Sequence, residues 1–206
     1  AQDISFGITR LIAEPAISPR IDSQRIAVAG HSYGANTALL VAGASVARQV
    51  DGEWRDINLR DERVRAAVLL STPPFYGESD NKAILRGIRV PTLHITGTDD
   101  VIRIPGYRSD AGDRIRVFEA MPAGPGAPPR ALAVFAGGTH SIFTDRSDRA
   151  GPELNRTVKA ATRELTTEFF KVVLKDEPYE RVAAWLHSRS DQLSRASLMP
   201  DLPALR

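Results

Sequence analysis

RIAVAGHSYGANTALL, residues 25–40, reads as a strand, a sharp turn and a helix in succession. Ile26-Ala27-Val28-Ala29 is a short β-rich apolar run, and the segment after Ser32 is rich in Ala and Leu. Between them, Gly30-His31-Ser32-Tyr33-Gly34 fits G-x-S-x-G in the strand-to-helix context that pattern requires. A serine hydroxyl is a poor nucleophile. To attack a carbonyl it needs a base within hydrogen-bond reach and room for substrate. A turn of this kind supplies the room by lifting the side chain off the carboxyl edge of a sheet. Gly30 and Gly34 are expected to lack the Cβ that would collide with the adjoining strand and helix. The helix starts at the serine, so its first N–H groups face developing negative charge, and the N–H of Tyr33 is the natural oxyanion donor. Ala35, Ala38 and Ala42 would let this helix lie close to the sheet. A bare five-residue pattern recurs by chance; the fitting strand and helix on either side give this one its weight.

The chain has 206 residues, which predicts a single domain over 1–206 with enough length for a sizeable core. Hydrophobic residues at 42% and charged residues at 25% are ordinary for a globular protein. The net charge of +2, with no dense Lys/Arg cluster, argues against a nucleic-acid partner. With no cysteine, disulfides, thiolate metal sites and cysteine nucleophiles are excluded. No apolar run is long enough to span a membrane. AQDISFGITR has no signal-peptide character, and the compartment stays open, since a leader removed earlier would be compatible with export.

Outward from the central stretch, Asp3 to Ala13 carries Ile4, Ile8, Leu11 and Ile12 at helical spacing, with Asp3 as the expected cap and Pro15 and Pro19 beyond. The helix after Ser32 is expected to run to about Arg48, and Asp51 to Arg63, with Trp54, to be a polar surface excursion. Three more apolar runs of strand length follow: Val64–Thr72, Val90–Thr96 and Arg130–Ala136. Short helices are expected over Asn81–Gly87 and within Ser109–Met121, and Pro122 to Pro129 is a Pro/Gly loop. Glu153–Leu174 is the longest helical pattern, with Val158, Ala161, Leu165, Phe169 and Val172 as its buried stripe. A last helix over Tyr179–Leu193 precedes a Pro-containing tail. Four near-continuous apolar strands separated by helices predict an α/β fold, a parallel sheet with helices on both faces.

In such sheets a site forms at the carboxyl ends of the strands. The third run ends Gly97-Thr98-Asp99-Asp100 and the fourth ends Gly137-Gly138-Thr139-His140. Both put an ionisable group on the same edge as Ser32. The chain order Ser, Asp, His matches one known order of a nucleophile, its orienting acid and its base. His140 would take and return the serine proton, and the aspartate would hold the imidazole in the right tautomer. Asp100, three residues past Gly97, is the expected acid, with Asp99 left to cap or face solvent. Of the other three histidines, His94 sits mid-strand and reads as packed. His187 has no chemical company, and His31 is too close in sequence to turn back on Ser32. No H-E-x-x-H motif or clustered His/carboxylate set points to a metal, and no cofactor is implied.

GHSYGANT, PTLHITGTDD and GGTHSIFTD together resemble the α/β-hydrolase superfamily. More narrowly they are similar to dienelactone-hydrolase-like and platelet-activating-factor-acetylhydrolase-like carboxylesterases, with polyester hydrolases a more distant likeness. The resemblance covers roughly Asp3 to Leu174. It implies serine ester hydrolysis through an acyl-enzyme: Ser32 the nucleophile, His140 the base, Asp100 the acid, and a small-molecule or lipid-like ester the substrate. Rim candidates are Phe75 and Tyr76 after the second run and Ile142 and Phe143 after the histidine, although each could equally be packing its loop.

Ser32 comes early for that pattern, in which several strands precede the nucleophile and one of them carries the loop that donates the second oxyanion N–H. The chain is therefore expected to supply about the last four strands, its C-terminal portion carrying the whole Ser–Asp–His set. The strand before Ser32 would then be a sheet edge. Losing one oxyanion donor costs about 10²–10³ in turnover. A fragment, a pair of assembling pieces, or a reduced variant that dimerises would each account for this. The expected partner is an N-terminal fragment of the same protein or a second copy. Two competing functions follow: a half-domain that is only an association module, and a serine peptidase on the same framework.

Overall fold

The computed structural model describes residues 1–146 and 149–199. Helix α1 (Gln2–Ala13) leads, through a short 3₁₀ turn (Ser18–Arg20), to β1 (Ile26–His31) and α2 (Tyr33–Ala42). Then come β2 (Ser45–Val50), β3 (Glu53–Asn58), β4 (Val64–Leu70), α3 (Asn81–Leu85) and β5 (Thr92–Asp99). The order continues with β6 (Ile102–Ile104), β7 (Tyr107–Ser109), α4 (Ala111–Glu119) and β8 (Arg130–Thr139). Helices α5 (Gly151–Lys175) and α6 (Glu180–Ser188) and strand β9 (Leu193–Met199) complete it.

The four predicted apolar runs are β1, β4, β5 and β8, and they pair in parallel in that spatial order. Their interiors are apolar on both sides because both faces are covered. On one face Val28 and Leu69 pack with Leu39 of α2, Leu85 of α3 and Val117 of α4. On the other, Val68, Leu93, Ile95 and Phe135 pack beneath α5 and α6. The five residues expected to form the buried stripe of α5 are its five buried residues. Ala35, Ala38 and Ala42 of α2 are all buried, so that helix does sit close on the sheet.

Several expectations need correction or added detail. Helix α2 stops at Ala42 instead of reaching Arg48, because Gly43 takes φ 120° and its N–H turns back to the Leu39 and Leu40 carbonyls. The expected surface excursion is exposed, Trp54 included, and takes the form of the β2–β3 hairpin, turning at Asp51-Gly52, both at positive φ. A second hairpin, β6–β7, follows Asp100 and turns at Gly106. Finally, α6 ends at Ser188 and β9 adds antiparallel to β8, closing that side of the sheet. Ala1, not Asp3, stands at the cap of α1. The expectation that β1 is an edge holds: among the described residues it pairs only with β4. Among the described residues no helix is long and apolar enough to cross a membrane.

Candidate active site

Ser32, Asp100 and His140 are each the first residue after a sheet strand: β1, β5 and β8. Parallel strands bring those three ends to one edge. Ser32 itself is held at φ 57°, ψ −125°, a conformation costing on the order of 1–3 kcal/mol outside glycine. The surroundings over-determine it. Its N–H donates to the Leu70 carbonyl at 2.9 Å, and its carbonyl accepts from Ala35 N–H at 2.9 Å. A Cβ on Gly30 would lie 2.1 Å from the Gly34 carbonyl oxygen, so the turn closes only with glycine there. Gly34 differs from expectation: a Cβ on it would meet nothing within 4 Å. The contact is one-sided, a side chain on the strand against the helix backbone.

A second close approach sets the other two groups. A Cβ on Gly97 would lie 2.1 Å from the Gly138 carbonyl oxygen. Strands β5 and β8 are thus pressed together just before Asp100 and His140. The turn after β8 is fixed from α5, where Asn155 Nδ2 donates to the carbonyls of Ile142 at 2.6 Å and Thr144 at 3.2 Å.

The result is a continuous chain of hydrogen bonds. Ser32 Oγ donates to His140 Nε2 at 2.9 Å, and His140 Nδ1–H donates to Asp100 Oδ1 at 2.8 Å. Both are within the range of good hydrogen bonds. The carboxylate partner assigns the proton to Nδ1 and leaves Nε2 free to accept. Asp100 is wholly buried. Its other oxygen, Oδ2, accepts from Thr96 Oγ1 at 2.7 Å, and Arg114 lies beside Oδ1 at 3.3 Å. Burial pushes this carboxyl up, but the His140 hydrogen bond and the Arg114 charge outweigh it and hold the value down at about 2. Asp99, by contrast, is exposed, and its carboxylate accepts from Thr98 Oγ1 at 3.1 Å. Of the two aspartates, Asp100 is the one that meets the histidine.

The other histidines lie as expected. His94 is buried with Nε2 3.2 Å from Thr92 Oγ1 and its ring edge-on to Phe118, and burial drives it down to about 3. His187 is exposed on α6. His31 does not reach Ser32; its Nε2–H donates to the His140 carbonyl at 2.8 Å, and the two rings lie 4.9 Å apart. It steadies the backbone that carries His140.

Tyr33 is the first residue of α2, where N–H groups have no intrahelical acceptor. Its side chain is exposed and faces Tyr107 at 6.4 Å, which in turn faces the exposed Tyr76 at 5.5 Å. Phe143 packs 6.1 Å from His31. Two rim expectations move inward: Ile142 is fully buried in the core under α5, and Phe75 is buried in the core on the opposite face. They hold the loops and leave the rim to Tyr33, Tyr76, Tyr107 and Phe143. The depression beside His140 is more polar than an apolar rim would be, with Asp99, Arg103 and Arg149 on its walls.

Arg114, Thr96 and Tyr107 were not singled out from the sequence. Thr96 is legible in hindsight as the last apolar-run residue, four before Asp100. Arg114 carries no such signal, because an arginine in SDAGDRIRVFE reads as an ordinary helix charge. Among the described residues no group of three or more His, Asp and Glu side chains could hold a metal ion. No protein-family model matches the chain, and no curated protein matches it.

Proposed function

We propose that this chain is a serine carboxylic ester hydrolase of the α/β-hydrolase type, working through an acyl-enzyme. The observation that supports this most is the Ser32–His140–Asp100 relay, at 2.9 and 2.8 Å, on one sheet edge. In the first half-reaction Ser32 Oγ bonds to the ester carbonyl carbon while its proton passes to His140 Nε2. The oxyanion so formed accepts from the Tyr33 N–H at the start of α2. When the carbon–oxygen bond to the leaving alcohol breaks, His140 gives that oxygen its proton. A water then attacks the acyl-serine, losing a proton to His140, which returns it to Ser32 as the acid product leaves. Asp100 stays ionised throughout and stabilises the imidazolium.

Labelling with a fluorophosphonate probe, read by intact mass beside Ser32→Ala, tests this. The expected result is one adduct, absent from the variant, together with ester turnover that exceeds amide turnover. Comparable amide turnover would favour a peptidase instead. The position of β1 at the sheet edge supports a second reading, an association module that needs another strand beside β1. Absence of an adduct on a folded sample would decide for that reading.

A further inference from the structure

Arg114 is the least expected neighbour of the site. It lies on α4 with only 2% of its surface exposed, and a buried guanidinium needs several acceptors. Its Nε donates to Asp100 Oδ1 at 3.3 Å, and Nη2 lies 3.3 Å from the same oxygen. Its Nη1 donates to Ser109 Oγ at 2.5 Å. Ser109 Oγ donates onward to Asp113 Oδ2 at 2.6 Å. Asp113 in turn accepts from the Asp110 N–H, closing a capping box at the start of α4, and pairs with Arg116 at the surface. The guanidinium is thus held by Asp100 on one side and Ser109 on the other.

One carboxylate oxygen therefore serves two cationic partners. Oδ1 of Asp100 receives His140 Nδ1–H and faces Arg114, while Oδ2 is occupied by Thr96. We propose that Arg114 is a positioning residue of the relay: it locks the Asp100 carboxylate for His140 and, by sharing Oδ1, weakens the pull of that carboxylate on the imidazolium. This rests on the esterase reading for its catalytic meaning, but its physical content is independent of it. A carboxylate alone favours the imidazolium; a carboxylate already shared with a guanidinium favours it less.

The other charges around the pair are accounted for. His140 is faced by His31 from β1 and by Asp99, Arg103 and Arg149 around the open depression. Arg114 reaches Asp113 through Ser109 Oγ and lies near the Tyr107 phenol. All of these persist when Arg114 alone is changed, so a substitution isolates its contribution.

The test is an NMR titration of the His140 ring, assigned with His140→Gln, in the wild-type chain and in Arg114→Met, Arg114→Gln and Arg114→Lys. The expected midpoint moves upward in the methionine and glutamine variants, where the guanidinium charge beside Asp100 is gone, and returns most of the way in the lysine variant, which restores charge without the fork. The glutamine variant keeps a donor beside Asp100 and serves should the methionine variant not fold. An unchanged midpoint in either folded uncharged variant would overturn the proposal and leave Arg114 as packing. In ester hydrolysis the acid limb should move upward with the same midpoint and kcat should fall, with KM unchanged, because Arg114 is too buried to meet substrate. A titration shift in the Arg114 variants, together with a wild-type chain that takes no fluorophosphonate, would sink the esterase reading and leave this one standing.

Discussion

Helix α5 presses Val158, Ala161, Leu165, Phe169 and Val172 into the sheet, whereas helix α1 has no fully buried side chain. Both read from the sequence as amphipathic helices. The difference lies in what each finds beneath it. Helix α5 lies over the sheet interior, where Val68, Leu93, Ile95 and Phe135 offer an apolar floor. Helix α1 lies beside β1 at the edge, with Ile4, Phe6 and Leu11 all more than two-fifths exposed. It is held instead by Ile8 against the core and by Arg63. That side chain donates to Thr9 Oγ1 at 2.9 Å and to the Ser5 carbonyl at 3.0 Å. The same contrast runs through the candidate site. Asp100 is buried and bonded from three sides, and the His140 turn is tied to α5. Ser32 hangs from the edge strand, beside the thinly covered helix. An amphipathic pattern states which face a helix would bury; the partner surface decides whether it is buried.

The contrast can be broken or sharpened by measurement. The largest effect is expected from Phe169→Ala, which should cost about 3–5 kcal/mol in denaturant unfolding, because a wholly buried ring is lost from a packed floor. Leu11→Ala, on the half-exposed face of α1, should stay within about 0.5 kcal/mol. Equal costs would mean that α1 is covered in solution by something beyond the described contacts.

Acid should come next. Asp100 is held at about 2 against an ordinary value of 3.8, a folded value below the unfolded one. Its contribution is therefore complete above about pH 4 and lost as pH falls through 4 towards 2, amounting to about 2 kcal/mol. Denaturant midpoints should fall over that window, and fall less steeply in Asp100→Asn. A wild-type profile parallel to that of the variant would place the acid sensitivity elsewhere.

A smaller loss than either Phe169→Ala or acid is expected at the strap. Arg63→Ala should cost about 1 kcal/mol, since Asp61 keeps the residue-63 backbone N–H at 3.1 Å after losing the guanidinium. Amide exchange should quicken across α1 and stay unchanged in α5. Unchanged exchange in α1 would show that Ile8 and the adjoining core hold that helix without the strap.

Much of this was legible before any coordinates. The four parallel strands, the buried stripe of α5 and the loop over Pro122–Pro129 follow from apolar runs and from Pro/Gly punctuation. Each is a local pattern with one structural outcome. The hairpins were legible too, at Asp51-Gly52 and Pro105-Gly106, but their polar strands carry no burial signal to attract attention. Strand β9 had no local signature, because LSRASLM becomes a strand only by borrowing the open edge of β8.

By itself the sequence determined the local events: a glycine-framed turn that exposes Ser32, and strands that end at Asp100 and His140. These depend on backbone sterics and on apolar periodicity, which act between neighbours in the chain. The sequence favoured Asp100 over Asp99, and the tertiary structure set Asp100 against His140; it alone decided that Ile142 and Phe75 turn inward. It alone set Arg114 against the carboxylate. Those outcomes depend on the register of β5 against β8 and on where α4 lands, and such distances between remote segments are fixed by packing, not by local pattern.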